Sequence, residues 1–281
     1  MRIPAVAAPL AVAIALAGPA AAGEGCWASI FRDLIEGPAR TSDFRWQGKV
    51  AAGRTIEIKG VNGSIQATGS SGDQVEVVAT RRGRRSDPES VQIKTFEHEG
   101  GITVCALHPS TDPARPNECL PGNKGRMNSR NNDVNVEFVV KVPVGVRLAA
   151  RTVNGAVDAS GLSADADVET VNGSVKVQTS GVARAQTVNG SVQASMGRAD
   201  WSSDLEIKTV NGSIRVTLPP LASTTVDAET VNGSIVSDFS VSHGTVTRRR
   251  LKGTIGGGGR GMSLETVNGS IWIGNSGGSG R

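Results

Sequence analysis

The sequence predicts an all-β chain whose larger part winds as a β-solenoid, preceded by a β region and a short helix. Three observations carry the prediction. A six-residue phrase close to Thr-Val-Asn-Gly-Ser-Ile occurs seven times. From its second copy onward the phrase returns at a near-constant interval, the mark of stacked repeats. The composition is that of short strands and tight turns. Glycine makes up 36 of 281 residues, aromatics are 3% and tyrosine is absent, while Val and Thr recur throughout.

The first element is an expected export signal at residues 1–22. Arg2 supplies the positive start, Ala5 to Ala17 the apolar run, and Ala20-Ala21-Ala22 a cleavage site. That run is too short, and too interrupted by Pro4, Pro9 and Pro19, to cross a bilayer core of about 30 Å. No later segment reaches the roughly 18 apolar residues of a transmembrane helix. The mature chain is therefore expected to be exported: periplasmic, cell-surface or secreted. Lipidation of Cys26 is not expected, because Gly23-Glu24-Gly25 precedes it in place of a lipobox. Within segment 23–43, Trp27, Ile30, Phe31, Leu34 and Ile35 form a helical stripe stopped by Gly37-Pro38. A solenoid end exposes apolar cross-section, so the 27–36 helix is expected to act as a cap.

Residues 44–147 read as an N-terminal β region, with strand-like runs at 55–59, 74–80, 91–95, 102–106 and 134–142. Two polar insertions interrupt it. One, 81–90, carries Arg81, Arg82, Arg84 and Arg85; the other, 107–133, is rich in Pro, Asn and Arg. Cys105 and Cys119 flank a 13-residue polar segment, and export makes a disulfide between them the expected pairing. Cys26 is then free or paired between chains.

The repeat occupies 148–275 and leaves 276–281 as an expected flexible tail. Its turns are marked by Asn154, Asn172, Asn189, Asn211, Asn232 and Asn268, with Asn62 as an outlying copy. The successive spacings are 92, 18, 17, 22, 21 and 36. Because 36 is twice 18, a degenerate unit is expected around 248–256. Asn-Gly between β-branched residues suits a two-residue hairpin, but a meander needs no constant unit length, whereas stacked coils do. The column before the phrase reads Arg151, Glu169, Gln186, Lys208, Glu229 and Glu265. Coils stacked in sequence order would set Arg151 beside Glu169, Lys208 beside Glu229, and Asp158 beside Lys176. Val175-Lys176-Val177 should alternate in and out; the face taken by the Val before each Asn stays open. The asparagines are expected to serve the turns, since Asn and Gly tolerate positive φ, more than to form a polar binding row.

The repeated phrase, together with Leu251-Lys252-Gly253-Thr254-Ile255-Gly256-Gly257-Gly258-Gly259 and Leu264-Glu265-Thr266-Val267-Asn268-Gly269, resembles the bacterial envelope family named for candidate adhesins, a domain of unknown function with β-strand repeats. The likeness covers roughly residues 45–275. It implies a right-handed β-solenoid, export, and an adhesive or scaffolding role. It brings no catalytic residues to transfer.

Chemistry is sparse. Three histidines, His98, His108 and His243, lie in unrelated contexts, so neither a histidine metal site nor any cofactor is expected. No Gly-x-Ser-x-Gly elbow appears in a strand-to-helix setting, and Gly256–Gly259 lacks the Lys-Ser/Thr of a phosphate loop. Asp165, Asp167 and Glu169 alternate on one strand face, read as solvated with Arg151 and Lys176 nearby. The basic run Arg248, Arg249, Arg250 and Lys252 is a candidate anion-binding patch for acidic envelope polysaccharide. A net charge of +4 and few aromatics do not suggest nucleic acid. The expected function is a non-enzymatic adhesive or scaffolding surface that meets anionic polysaccharide or another envelope protein. The alternative is a polysaccharide lyase or hydrolase built on a β-helix.

Overall fold

A computed structural model of the protein describes residues 39–277. The expected export signal, Cys26 and the 27–36 helix lie outside the described residues. The chain enters through β1 (Arg40–Gly48), β2 (Thr55–Lys59), β3 (Ile65–Ser70) and β4 (Val75–Gly83). After a 3-10 turn at Pro88–Ser90 come β5 (Gln92–His98), β6 (Gly101–Leu107), the short pair β7 (Glu118–Cys119) and β8 (Gly125–Arg126), and β9 (Asn135–Pro143). The repeat follows as β10 (Arg147–Arg151), β11 (Val157–Leu162), β12 (Ala166–Glu169), β13 (Val175–Thr179), β14 (Ala183–Gln186), β15 (Val192–Met196), β16 (Leu205–Lys208) and β17 (Ile214–Leu218). It closes with β18 (Thr224–Asn232), β19 (Ile235–Ser237), β20 (Val241–Val246), β21 (Arg250–Ile255), β22 (Gly261–Asn268) and β23 (Ile271–Asn275). Among the described residues no helix is long and apolar enough to cross a membrane.

From β10 to β19 successive strands alternate between two sheets, so each coil gives one strand to each. The first sheet runs β1-β4-β9-β3-β11-β13-β15-β17-β23-β19, and the second β20-β21-β18-β22-β16-β14-β12-β10-β2-β6-β5. Strands of neighbouring repeat coils pair in parallel, with one register shift between Ala159 and Leu162; Val157, Val175, Val192, Ile214 and Ile271 form one aligned column. The Asn62 turn belongs to this stack. β2 pairs with β10 and β3 with β11, so Asn62 is the spatial neighbour of Asn154 across 92 residues of chain.

Coil order departs from sequence order at the far end. The Asn268 coil (β22, β23) lies between the Asn211 coil (β16, β17) and the Asn232 coil (β18, β19). This corrects two expectations. Lys208 stands beside Glu265, 3.1 Å away, and not beside Glu229. Segment 248–256 is no hidden repeat: β21 runs antiparallel to β18 and hairpins with β20. The phrase is the same in every coil, so its spacing cannot encode which coil docks on which.

The alternation of small and branched residues builds a thin core. Val157, Val175, Val192 and Ile214 point inward from one sheet; Ala166, Ala183, Leu205 and Ile207 do so from the other, all at most 3% exposed. The stack begins and ends in antiparallel strands: β1 and β4 on one sheet, β5 and β6 on the other, and β21 and β20 beyond β18.

Glycine in the phrase answers to the approach of neighbouring coils. A Cβ on Gly155, Gly173, Gly190, Gly212 or Gly269 would lie 2.0–2.2 Å from a carbonyl oxygen of the adjoining coil. The repeat asparagines do not need positive φ; among the described residues the non-glycine positions with positive φ are Asn131 and His243. The turn-tolerance rationale for these asparagines is therefore replaced by a contact between coils. Gly173→Ala is expected to lower unfolding free energy by about 3 kcal/mol or more, because backbone must move. Gly72→Ala, which meets only the Ser70 hydroxyl at 3.3 Å, should cost less than about 0.5 kcal/mol. Denaturant unfolding of both variants checks this; equal costs would refute the close approach.

Candidate interaction surface

The repeated phrase forms one corner of every coil, and each residue in it has a separate task. The threonine points inward: Thr152, Thr170, Thr187, Thr209, Thr230 and Thr266 are 2–5% exposed. Each hydroxyl donates to the carbonyl of a corner glycine in the adjoining coil, at 2.7–3.0 Å. The sequence held a signal for this, since Thr stands two residues before Asn in six of the seven phrases. A buried hydroxyl needs a partner, and the corner carbonyl is the one within reach.

The asparagines form a continuous ladder. Each Nδ2 donates to the Oδ1 of the neighbouring asparagine at 2.7–2.9 Å, through Asn62, Asn154, Asn172, Asn189, Asn211, Asn268 and Asn232 in spatial order. The serines behind them form a weaker ladder, in which the amides of Ser191, Ser213, Ser270 and Ser234 donate to neighbouring hydroxyls at 3.2–3.3 Å. The valine before each asparagine points outward. Val153, Val171, Val188, Val210 and Val267 are 38–40% exposed, and Val231 is 52% exposed. They line up at coil spacing as an apolar rail beside the amide ladder. A shallow hollow of about 290 Å³ opens along the rail at Val210, Val231 and Val267, edged by Lys208, Glu229 and Glu265.

Two residues before each valine, on the same outward face, lies the charged column. Arg151 is its hub: it meets Glu57 at 2.6 Å, Asp167 at 2.7 Å and Glu169 at 3.4 Å. Burial disfavours the Arg151 cation, but Asp167, Glu169 and Glu57 outweigh it and hold the pKa above its usual value. The carboxylates of the 165–169 alternation are thus tied up: Asp167 and Glu169 by Arg151, and Asp165 by Arg198 at 2.9 Å. Asp158 and Lys176 pair at 3.8 Å.

The 107–133 insertion folds over the near end of this column. Cys105 and Cys119 are disulfide-bonded, with Cα atoms 5.7 Å apart. Lys59 Nζ donates to the carbonyls of Leu120, Gly122 and Lys124 at 2.7–3.0 Å, and burial lowers its pKa. Glu57 accepts from the Thr103 hydroxyl and the Gly122 amide, both at 2.9 Å. His108, at the root of the insertion, is buried with Nε2 unpartnered.

The basic runs are less available than their sequence suggests. Arg250 lies 3.8 Å from both Asp227 and Glu229, and Lys252 lies 3.2 Å from Asp227. That leaves Arg248 and Arg249, exposed at the hairpin tip, as the free cations of the candidate patch. In the other run, the Asp133 carboxylate accepts from the amides of Arg84, Arg85 and Ser86, which hold its pKa far below the usual range. Arg81 bonds to the Ser42 hydroxyl and the Val91 carbonyl.

Residues 42–274 match the family described as Toastrack, DUF4097, and the chain belongs to that family. Two solved structures are similar to it. A candidate cell adhesion protein from Clostridium sporogenes ATCC 15579 is 12% identical with a TM-score of 0.44, the match covering 84% of this chain and 100% of that one. A candidate adhesin from Bacteroides fragilis NCTC 9343 is 13% identical with a TM-score of 0.34, covering 83% of this chain and 97% of that one. Comparison with curated proteins finds no match.

Two outcomes follow from these contacts. Thr187→Val should destabilise by about 1–3 kcal/mol, since it strips a buried carbonyl of its donor. Asn189→Ala should cost about 1 kcal/mol or less, because water replaces the missing rung; thermal unfolding of both variants tests the order. His108 supplies a pH effect. Burial holds its folded pKa below the ordinary 6.5, so the unfolded chain takes up the proton first. Its share of stability is complete above 6.5 and is lost as pH falls from there through the lowered folded value. His108→Phe should flatten that acid limb in unfolding measured between pH 7 and pH 5; an unchanged slope would remove His108 as its source.

Proposed function

We propose that this Toastrack chain is a non-enzymatic, exported β-solenoid that acts as an adhesive or scaffolding surface in the bacterial cell envelope. The observation that carries the reading is the valine rail: six outward valines at coil spacing along a rigid corner, at least 38% exposed. Contiguous exposed apolar patches on soluble proteins mark interaction sites. The flanking asparagines are already held in a ladder, so little side-chain freedom remains to be lost on binding. A partner that lies lengthwise on the rail meets the same contact once per coil, and the increments add because solenoid units are near-independent. Export is inferred from residues 1–22, and an oxidising compartment agrees with the Cys105–Cys119 bond. We infer a right-handed winding from the handedness of parallel crossovers, and we take residues 44–147 as the N-terminal β region that gives the stack its first coil.

Between the two partner classes, the geometry favours another envelope protein over anionic polysaccharide. The rail is apolar, its edge carries Glu229 and Glu265, and half of the basic patch is neutralised by Asp227 and Glu229.

Retention of the purified protein on bacterial envelope fragments, measured across salt concentrations, tests this. The triple variant Val171→Thr, Val188→Thr, Val210→Thr is expected to bind about tenfold more weakly or worse, since each lost methyl removes up to about 0.8 kcal/mol of burial. Its stability should hold, as the sites are exposed. Arg248→Gln with Arg249→Gln should have little effect. Retention abolished by salt and by the arginine pair, but not by the valine triple, would replace this partner with an anionic polymer. Glycan turnover lost on a single carboxylate substitution would establish the enzyme alternative.

A further inference from the structure

The Asn268 coil occupies a slot that its own chain order does not explain. It slides between coils that precede it by 57 and 36 residues. We propose that this slot is a strand-acceptor site, and that it takes the Asn268 coil of a second copy of this chain.

The slot recognises the coil by contacts that need no covalent link to the same chain. Thr266 donates to the Gly212 carbonyl at 2.8 Å, Asn268 to Asn211 at 2.8 Å, and Asn232 to Asn268 at 2.9 Å. Met262, Leu264, Ile271 and Ile273 are at most 1% exposed within it. Loop residues before β16 mark where the strand begins. Trp201 Nε1 donates to the Arg260 and Gly261 carbonyls at 3.3 and 3.1 Å, and Asp204 accepts from the Gly261 amide at 3.0 Å. A coil from another copy would satisfy every one of these groups.

The connection to the coil has the character of a hinge. Residues 256–260 carry the chain over the end of β18, from β21 on one side to β22 on the other. Four of the five are glycine, with φ of +59° at Gly256 and +78° at Gly258. Opened to an extended form, five residues reach about 17 Å, enough to hand the coil to a neighbour. Reciprocal exchange closes a two-fold dimer; one-way exchange builds a chain of copies. The same copy offers one competitor. With the Asn268 coil withdrawn, the Asn211 and Asn232 coils carry matching phrases and could close on each other.

Disulfide trapping tests the proposal in a Cys26→Ser background. Ser270 and Ser213 are neighbours, the Ser270 amide lying 3.2 Å from the Ser213 hydroxyl, and adjacent strands at about 4.8 Å suit a disulfide. One protein carries Ser213→Cys, the other Ser270→Cys. They are mixed, partly unfolded, refolded at rising concentration and oxidised. The expected product is a mixed disulfide dimer, about tenfold over either homodimer, that grows with concentration and stays dimeric on gel filtration after reduction. A variant lacking Gly257 and Gly258 should raise that yield, because a short hinge strains the closed form. The double variant Ser213→Cys, Ser270→Cys should close within the monomer and so reports the native slot. Monomers at all concentrations, mixed and like dimers in equal measure, failure of the double variant to close, or a Ser213→Cys, Ser234→Cys variant that closes within one chain after refolding would each overturn the proposal.

Discussion

The structure depends on the distance between successive corners. Carbonyl oxygens of one coil stand where the Cβ of the next corner residue would be, so the position must be glycine. Once glycine admits that approach, the remaining contacts follow. The threonine hydroxyl reaches the corner carbonyl only because the coils are this close, and the asparagine amides meet in a row only because each turn repeats the last. Corner amides and carbonyls pair between coils as well, as in Gly173 to Asn189 at 2.9 Å and Asn189 to Val171 at 2.8 Å. A single residue without a side chain thus sets the contacts of the threonine and the asparagine beside it.

The same constraint turns the valines outward and gives the protein its exposed rail. Thr inside and Asn at the bend leave the intervening position no inward path, because strand side chains alternate. An apolar residue there is left 38–52% exposed in six of the coils. The charged column beside it has a different balance. Near the first coil it is buried under the disulfide-anchored insertion and closed on itself through Arg151, Glu57 and Lys59. Toward the last coil it lies open, with Lys208, Glu229 and Glu265 at the edge of the hollow. Any partner therefore meets a different electrostatic rim at each end of one apolar track.

Much of this was legible in the residues. The Asn-Gly spacing placed the corner, the alternation in Val175-Lys176-Val177 placed the core, and the polar loop between Cys105 and Cys119 identified the pair that is joined. Three features were not legible, for physical reasons. The valine face could not be read because it follows from the threonine pointing inward, and that is fixed by a carbonyl of the adjoining coil. The ion pairs of Arg250 and Lys252 depend on β21 running back along β18, a long-range pairing that a local basic run does not reveal. The order of the last coils was hidden because identical phrases make every docking equivalent at the corner.

What breaks that equivalence must therefore lie away from the corner. Charge does not decide it: Lys208 finds a glutamate whether Glu265 or Glu229 is next to it, and the intercalated order even sets Glu229 beside Glu265, with Arg250 across from Glu229 to offset it. Groups that single out the Asn268 coil sit in the unit between Asn189 and Asn211. Its extra residues form the loop that carries Trp201 and Asp204, and both bind the backbone at Arg260 and Gly261. At Gly261 a Cβ would come within 3.3 Å of the Asp204 carboxylate, so the glycine lets the loop and the start of β22 sit close together. This unit spans 22 residues and the next, from Asn211 to Asn232, spans 21, against 18 and 17 for the two before them; in the first of these long units the extra length is what reaches the Asn268 coil. These loop contacts, and not the identical corner phrases, are what distinguish the Asn268 coil in its place beside the Asn211 coil.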